Sequence, residues 1–258
     1  MREAHPVFHQ PTDPGTVIWR YFSFPKFVDL LTRRALFFSS ADLLGDHLEG
    51  SFTRAKEASR HELLENPPDD ISIEQLQETF RHNASISRMM PRMVFVNSWH
   101  IGQHESMAMW SGYGEGSYGV AVSTTCGVLD EVLPDSQSEL VGTKIFIGTV
   151  QYLDYLSTSE KVPEEFNAFG PFVCKSLVFS HEAELRALFF DPSFPSIGEP
   201  EDRPKGYHID VDLARLIQRV VVSPLAPSWF MGVVSTLCRD GGISVNIEPS
   251  SNTAKAIF

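Results

Sequence analysis

The sequence predicts an α+β fold: a mixed, mainly antiparallel sheet with helices packed around it and a helical insertion near residues 52–90. Two observations carry this. About eight strand-like segments interleave with five or six helical ones in an order that is neither strict strand-helix alternation nor all-β. The 258 residues are 42% hydrophobic and 21% charged, ordinary for a globular chain, and the 19 phenylalanines predict an aromatic core. The expected organisation is an extended arm over residues 1–15 and a single domain over 16–250.

Thr16 to Phe22 (TVIWRYF) reads as the first strand, being β-branched and aromatic. Arg20 lies inside it. A guanidinium there must be paired, stacked on Trp19 or Tyr21, or turned into a cleft. Ser23 to Arg34 is a helix with Pro25 in its first turn and Phe27, Leu30 and Leu31 on one face. Ala35 to Ser39 is a short buried strand, and Ser40 to Gly50 an acidic loop. Asp46, His47 and Glu49 in that loop have the residue types of a metal site, but helix capping explains such acids equally well.

Phe52 to Glu65 is a charged helix. Ser72 to Arg88 is a second, opened by a Ser72–Gln75 capping box and striped by Ile73, Leu76, Phe80 and Ala84. The central stretch is Asn97 to Thr125. Met93 to Trp99 reads as a strand. Glu105 to Tyr113 is a short helix with Ser106, Met109, Trp110 and Tyr113 on one face, ended by Gly114 and Gly116. Tyr118 to Thr124 is the next strand.

Leu129 to Glu139 reads as an acidic loop and Thr143 to Leu153 as one strong strand. Ser157 to Glu165 is a polar connection, and Phe169 to Phe179 is ambiguous between helix and strand. In His181 to Phe190, a strand reading projects Glu182, Glu184 and Arg186 to one face, about 7 Å apart. The helix reading would instead pair Glu182 with Arg186. Pro192 to Lys205 is a loop, Tyr207 to Val211 and Val220 to Ser223 are strands, Trp229 to Arg239 is a helix capped by Ser228, and Ile243 to Glu248 is the last strand.

The net charge of -12 argues against non-specific nucleic-acid binding, which needs clustered Lys and Arg. Cys126, Cys174 and Cys238 have no metal or redox spacing, which points to buried thiols in a reducing cytoplasm. No apolar run reaches the roughly 20 residues of a membrane span. No phosphate loop, GxSxG elbow or HExxH helix is present. No metal is expected, the expected partner is a small-molecule ligand, and the oligomeric state is open.

Six short motifs in order resemble the bacterial family known as domain of unknown function 2971. They are Trp19-Arg20-Tyr21, Leu36-Phe37-Phe38-Ser39, Asp46 to Glu49, Met109-Trp110-Ser111-Gly112-Tyr113, Gly119 to Val122, and Glu182-Ala183-Glu184-Leu185-Arg186. Two departures stand out. His47-Leu48 replaces the Pro-Phe usual between the acids of the turn, and Val96-Asn97-Ser98-Trp99-His100 lacks the usual cysteine. The order of an Arg on the first strand, a Ser-Thr strand and a late E-x-E is similar to the Arg-Ser-Glu pattern of ADP-ribosyltransferases.

That second resemblance implies an NAD-dependent transferase, a toxin or phage-defence effector, cleaving the nicotinamide–ribose bond. Glu184, with Glu182, would be catalytic, stabilising the oxocarbenium-like transition state. Arg20 would anchor the NAD diphosphate, and Ser123, or its rival Ser39, would hold the nicotinamide ribose. Tyr21, Trp110 and Tyr113 would complete the cofactor site, with His100, Glu105, Arg186 and Glu49 at the rim. Two alternatives remain open at the level of sequence. One is a metal-dependent hydrolase or nuclease built from Asp46, Glu49, His100, His104, Glu105 and Glu182. The other is a non-enzymatic binding module in which Arg20, Glu49, Glu105, Glu182, Glu184 and Arg186 form a buried ion network.

Overall fold

A computed structural model describes residues 5–135, 143–159, 169–193 and 203–253. In chain order the first elements are β1 (Val17–Phe22), α1 (Phe24–Arg33) and β2 (Ala35–Ser40). The helical insertion follows as α2 (Arg54–Glu65) and α3 (Ile73–Met89), the latter with both bonds of the Ser72–Gln75 capping box. Next come β3 (Val94–Ile101), α4 (Met107–Tyr113), β4 (Val120–Thr125) and α5 (Cys126–Val132). The remainder is β5 (Phe146–Thr149), β6 (Gln151–Leu153), β7 (Cys174–Ser176), β8 (Glu184–Phe190) and β9 (Gly206–Asp210). The chain then closes with α6 (Leu213–Leu216), β10 (Arg219–Val222), α7 (Phe230–Asp240) and β11 (Ile247–Pro249).

Nine strands form one mixed, mostly antiparallel sheet, with helices around it: the α+β fold the sequence predicts. Its path is β11-β10-β4-β1-β3-β2-β9, and β8 and β5 continue from the other edge of β3. β8 pairs with β3 from Val94 to His100. The opposite edge of β3 is divided: β1 pairs with His100 and Ile101, whereas β2 pairs with Phe95 and Val96. The two strands therefore fork apart opposite Asn97, Ser98 and Trp99.

Alternation along the strands sends two apolar sets to opposite faces. On one face Ile18, Phe22, Phe95, Trp99, Val122, Leu185 and Phe189 pack in the main core, with Phe27 and Leu30 of α1 and Val234 of α7. On the other, Trp19, Tyr21 and Ala121 meet Met109 and Trp110 of α4, and further along Val94, Val96 and Leu188 meet Phe8 and Phe172. Phe8 belongs to the N-terminal arm: its ring stacks on Phe146 at 5.0 Å, and the His9 carbonyl accepts from Thr149 N–H at 2.8 Å.

Several segments depart from the sequence reading. Cys126–Val132 is a helix rather than part of an acidic loop, because the Thr125 hydroxyl caps it by accepting from Val128 N–H at 3.3 Å. Residues 136–139 of that predicted loop lie outside the described residues, as do 160–165 of the polar connection, 194–202 of the later loop and 254–258 of the tail. The predicted strand 143–153 is broken at Val150. β5 pairs with β8, whereas β6 leaves to pair in parallel with β7 in a separate two-stranded sheet. The break is held by Val150 N–H donating to the Glu184 carbonyl at 2.9 Å. Phe169 to Phe179 is neither one helix nor one strand: short 3-10 turns flank β7. α7 begins at Phe230, and Ser228 does not cap it. The last strand is only Ile247–Pro249, added in parallel to β10.

Candidate functional site

The densest polar assembly is built around Glu182, Glu184 and Arg186. Residues 177–182 form a 3-10 helix ending at Glu182, and β8 starts at Glu184. Ala183 between them has φ 41° and ψ 58°, the left-handed region that side chains with a Cβ rarely occupy. This kink is why Glu182 is not a strand residue, as the sequence reading had it, yet still turns its carboxylate to the same place as Glu184.

That place is occupied by Lys175 of β7. Its ammonium meets Glu182 Oε2 at 2.5 Å and Glu184 Oε1 at 3.5 Å. Arg186 donates from Nε to Glu184 Oε2 at 2.6 Å and from Nη1 to the Phe172 carbonyl at 2.8 Å. Arg186 Nη1 also forms an ion pair with Glu49, delivered by the acidic turn after β2. The strand-rise spacing of about 7 Å is thus replaced by direct ion pairs, because both guanidinium and carboxylate bend toward shared partners. All five charged side chains are buried, Arg186 to 1% exposure. Lys175 was missed by the sequence reading. Its signal was a single lysine inside the apolar run Pro171 to Phe179.

The cluster's outer edge is Tyr113 at the end of α4. Its hydroxyl donates to Glu182 Oε1 at 2.7 Å, and the residue is 44% exposed. α4 is seated by Ser106, whose hydroxyl accepts from Met109 N–H, and by Tyr21, whose hydroxyl accepts from Ser106 N–H at 2.7 Å. The chain after α4 passes close to its end: a Cβ on Gly119 would lie 2.5 Å from the Gly114 carbonyl oxygen, so only glycine fits there. His100 Nδ1 lies 2.6 Å from the Glu182 carbonyl, and Tyr152 OH accepts from Glu184 N–H at 2.9 Å.

The electrostatics follow from burial and neighbours. Burial alone would raise the Glu184 carboxyl, but Arg186 and Lys175 outweigh it and hold the group below its ordinary value. Burial would lower Arg186, yet Glu184 and Glu49 overcome it and push the guanidinium up. Glu49 goes the other way. Burial raises its carboxyl, only partly offset by Arg186, and the Glu184 charge adds to the rise. Its Oε2 is buried with no hydrogen-bond partner among the described residues. Burial and the bond to Glu182 raise the Tyr113 phenol, so it stays a proton donor.

The structure separates the other candidates. The pairs Ser123–Trp19, Trp19–His100 and His100–Glu184 form one row across the sheet. Ser123 is therefore on the Glu184 face but three strand spacings away, about 14 Å. Ser39 pairs with Val96, further along the same face, and donates to its neighbour's carbonyl. Trp110 packs edge-on against Tyr21 at 5.0 Å, and its indole N–H donates to Glu105 at 2.7 Å. Glu105 also accepts from Ser251 N–H and Oγ–H, so it latches the C-terminal turn and does not join the cluster.

Arg20 lies on the opposite face. It alternates with Trp19 and Tyr21, stacks over Phe22 and Trp99 rather than on its sequence neighbours, and fills the fork between β1 and β2. Its Nη2 donates to the Phe37 carbonyl at 3.2 Å, an oxygen also bonded by Asn97 Nδ2 at 2.9 Å. Its Nη1 is buried with no hydrogen-bond partner among the described residues, and burial pushes the guanidinium down to about 10. A cleft holding Arg20, a serine and Glu184 together is thus not formed, and these residues do not fit an NAD diphosphate and its ribose in one site. Among the described residues no group of three or more His, Cys, Asp or Glu is arranged to hold a metal ion. The three cysteines are buried, and among the described residues none is in a disulfide. Among the described residues no helix is long and apolar enough to cross a membrane.

A scan against protein-family models matched none, and a search of curated proteins found no match. The motif resemblance therefore stands on the quoted residues alone.

Proposed function

We propose that the chain is a non-enzymatic binding or interaction protein in which the Lys175–Glu182–Glu184–Arg186–Glu49 cluster is a structural clamp. The observation that carries this is mutual pairing: each of the three carboxylates is ion-paired with Lys175 or Arg186 inside the cluster. A carboxylate that steadies an oxocarbenium ion must face substrate with its charge free to act. Here that charge is spent on neighbours, and Arg20 is across the sheet.

The clamp ties four separate pieces of chain to one point. These are the acidic turn at Glu49, β7 at Lys175, β8 at Glu184 and Arg186, and α4 through Tyr113. None of these pieces is adjacent to all the others through strand pairing, so the cluster supplies connections the sheet does not.

Calorimetric titration with NAD, run beside thermal melts of Glu184→Gln, tests the reading. The clamp predicts no NAD binding and a melting temperature lowered by several degrees in the variant. Saturable NAD binding that Glu184→Gln abolishes at an unchanged melting temperature would establish the ADP-ribosyltransferase-like reading in its place.

A further inference from the structure

The helical insertion is poorly covered by its own chain. α2 and α3, joined by residues 66–72, pack together as a helical hairpin, with the Arg60 guanidinium lying over the Phe80 ring at 5.4 Å and over Phe52 at 4.3 Å. Among their residues only Ala55 of α2 and Leu76 of α3 are buried. Helices of 12 and 17 residues gain most of their stability from packing an apolar face, since propensity alone leaves them marginal. Instead five large apolar side chains stay exposed: Leu63 at 40%, Ile71 at 39%, Ile73 at 43%, Ile86 at 43% and Met89 at 42%.

Charge divides along the hairpin. Beyond the Arg60–Phe80 contact, the tip carries Glu62, Glu65, Asp69, Asp70, Glu74 and Glu78, all exposed, and residues 61–80 contain no lysine or arginine. The base carries Arg54, Lys56, Arg60, Arg81, Arg88 and Arg92, with Glu57 its only acid over residues 53–60 and 81–92. The apolar groups divide in the same way. Leu63, Ile71 and Ile73 sit among the acids of the tip, and Ile86 and Met89 among the arginines of the base.

We infer that two copies of this chain pair through the α2–α3 hairpin about a twofold axis, the acidic tip of each lying on the basic base of the other. A rod with one charge sign at each end complements itself in the antiparallel orientation and repels itself in the parallel one. Antiparallel pairing of identical rods is the isologous geometry of a twofold dimer, in which tip meets base and base meets tip. On α3 the acidic Glu74 and Glu78 and the basic Arg88 fall within about 80° of one another around the helix axis, so one face carries both charge signs, with Met89 beside them. α3 is about 25 Å long, so tip and base are far enough apart for the two charge patches to engage separately. The pairing stands whatever the ion cluster does, and its test leaves that cluster untouched.

Sedimentation velocity at protein concentrations up to about 100 µM, at low and high salt, provides the test. The wild-type chain is expected to dimerise, more weakly at high salt. A tip variant with Glu65→Lys and Asp70→Lys and a base variant with Arg88→Glu and Arg92→Glu are each expected to weaken self-association at least about tenfold. Their equimolar mixture is expected to recover a heterodimer, because each reversed patch then meets its complement. Circular dichroism confirms that both variants keep their helices. A monomeric wild type, a dimer indifferent to both reversals, or a mixture that fails to recover each overturns the inference.

Discussion

Replacing Arg186 with methionine removes the guanidinium from the centre of the clamp while keeping much of its apolar stem. The losses can be counted from its contacts. Glu184 loses its bonds from Nε and Nη2, Glu49 loses its ion pair, and the Phe172 carbonyl loses its donor at 2.8 Å. Among the described residues Lys175 is then the cation left to face three buried carboxylates. Breaking a buried ion pair by removing one partner costs about 3–5 kcal/mol. In a chain of this size each kcal/mol lowers the melting temperature by about 2–4 °C, so a fall on the order of 10 °C is expected. Differential scanning calorimetry at neutral pH measures it. A triple variant, Arg186→Met with Glu184→Leu and Glu49→Leu, removes the stranded charges as well and should regain much of the loss, since the penalty comes from the unpaired carboxylates. A single variant that melts within about 2 °C of the parent would refute the clamp, because a buried guanidinium bridging two acids cannot then be what fastens these segments.

The two acids that share Arg186 should respond oppositely to the same substitution. Glu184 is held below its unfolded value, so its stabilisation is complete above that value and is lost as pH falls through the folded one. Glu49 is held above its unfolded value, so its charged form costs stability at neutral pH, and the cost fades as pH falls. Glu184→Gln should therefore destabilise at pH 7, whereas Glu49→Gln should be neutral or stabilising there and should remove any gain on mild acidification; melts over a pH series check both. Asn97→Ala leaves the Trp99 indole N–H without its buried acceptor and the Phe37 carbonyl with Arg20 Nη2 in place of two donors, at a cost of about 2 kcal/mol read by urea denaturation. Gly119→Ala brings a methyl to 2.5 Å from the Gly114 carbonyl oxygen and must displace the end of α4. It should lower stability by about 1–3 kcal/mol, with the Tyr113 phenol freed from Glu182 and titrating nearer its ordinary value by ultraviolet absorbance.

Local sequence signals were enough for the elements whose chemistry is local. The Ser72–Gln75 capping box, the Pro25 start of α1 and the alternation of β1 appear in the structure much as their residues suggest. The segments that departed from expectation are those decided by distant partners. Gln151–Leu153 has the composition of a continuing strand but leaves the sheet because Val150 is drawn to the Glu184 carbonyl. The acids and arginine of residues 182–186 were legible as a group that needed partners. Lys175 was not, because a lysine in an apolar run announces burial without naming its acid.

Trp110 and Tyr113 of α4 stand over the Glu184 face, with His100 between Trp19 and Glu184 in the same row. The sequence by itself determined which side chains were too polar for their surroundings, because that depends only on residue type and on alternation within a strand. It also determined the segregated charge of the α2–α3 hairpin. Only the tertiary structure decided how those needs were met. Strand register put Arg20 and Glu184 on opposite faces, and a one-residue difference in alternation between paired strands separates two groups that sequence order alone would place in a common cleft.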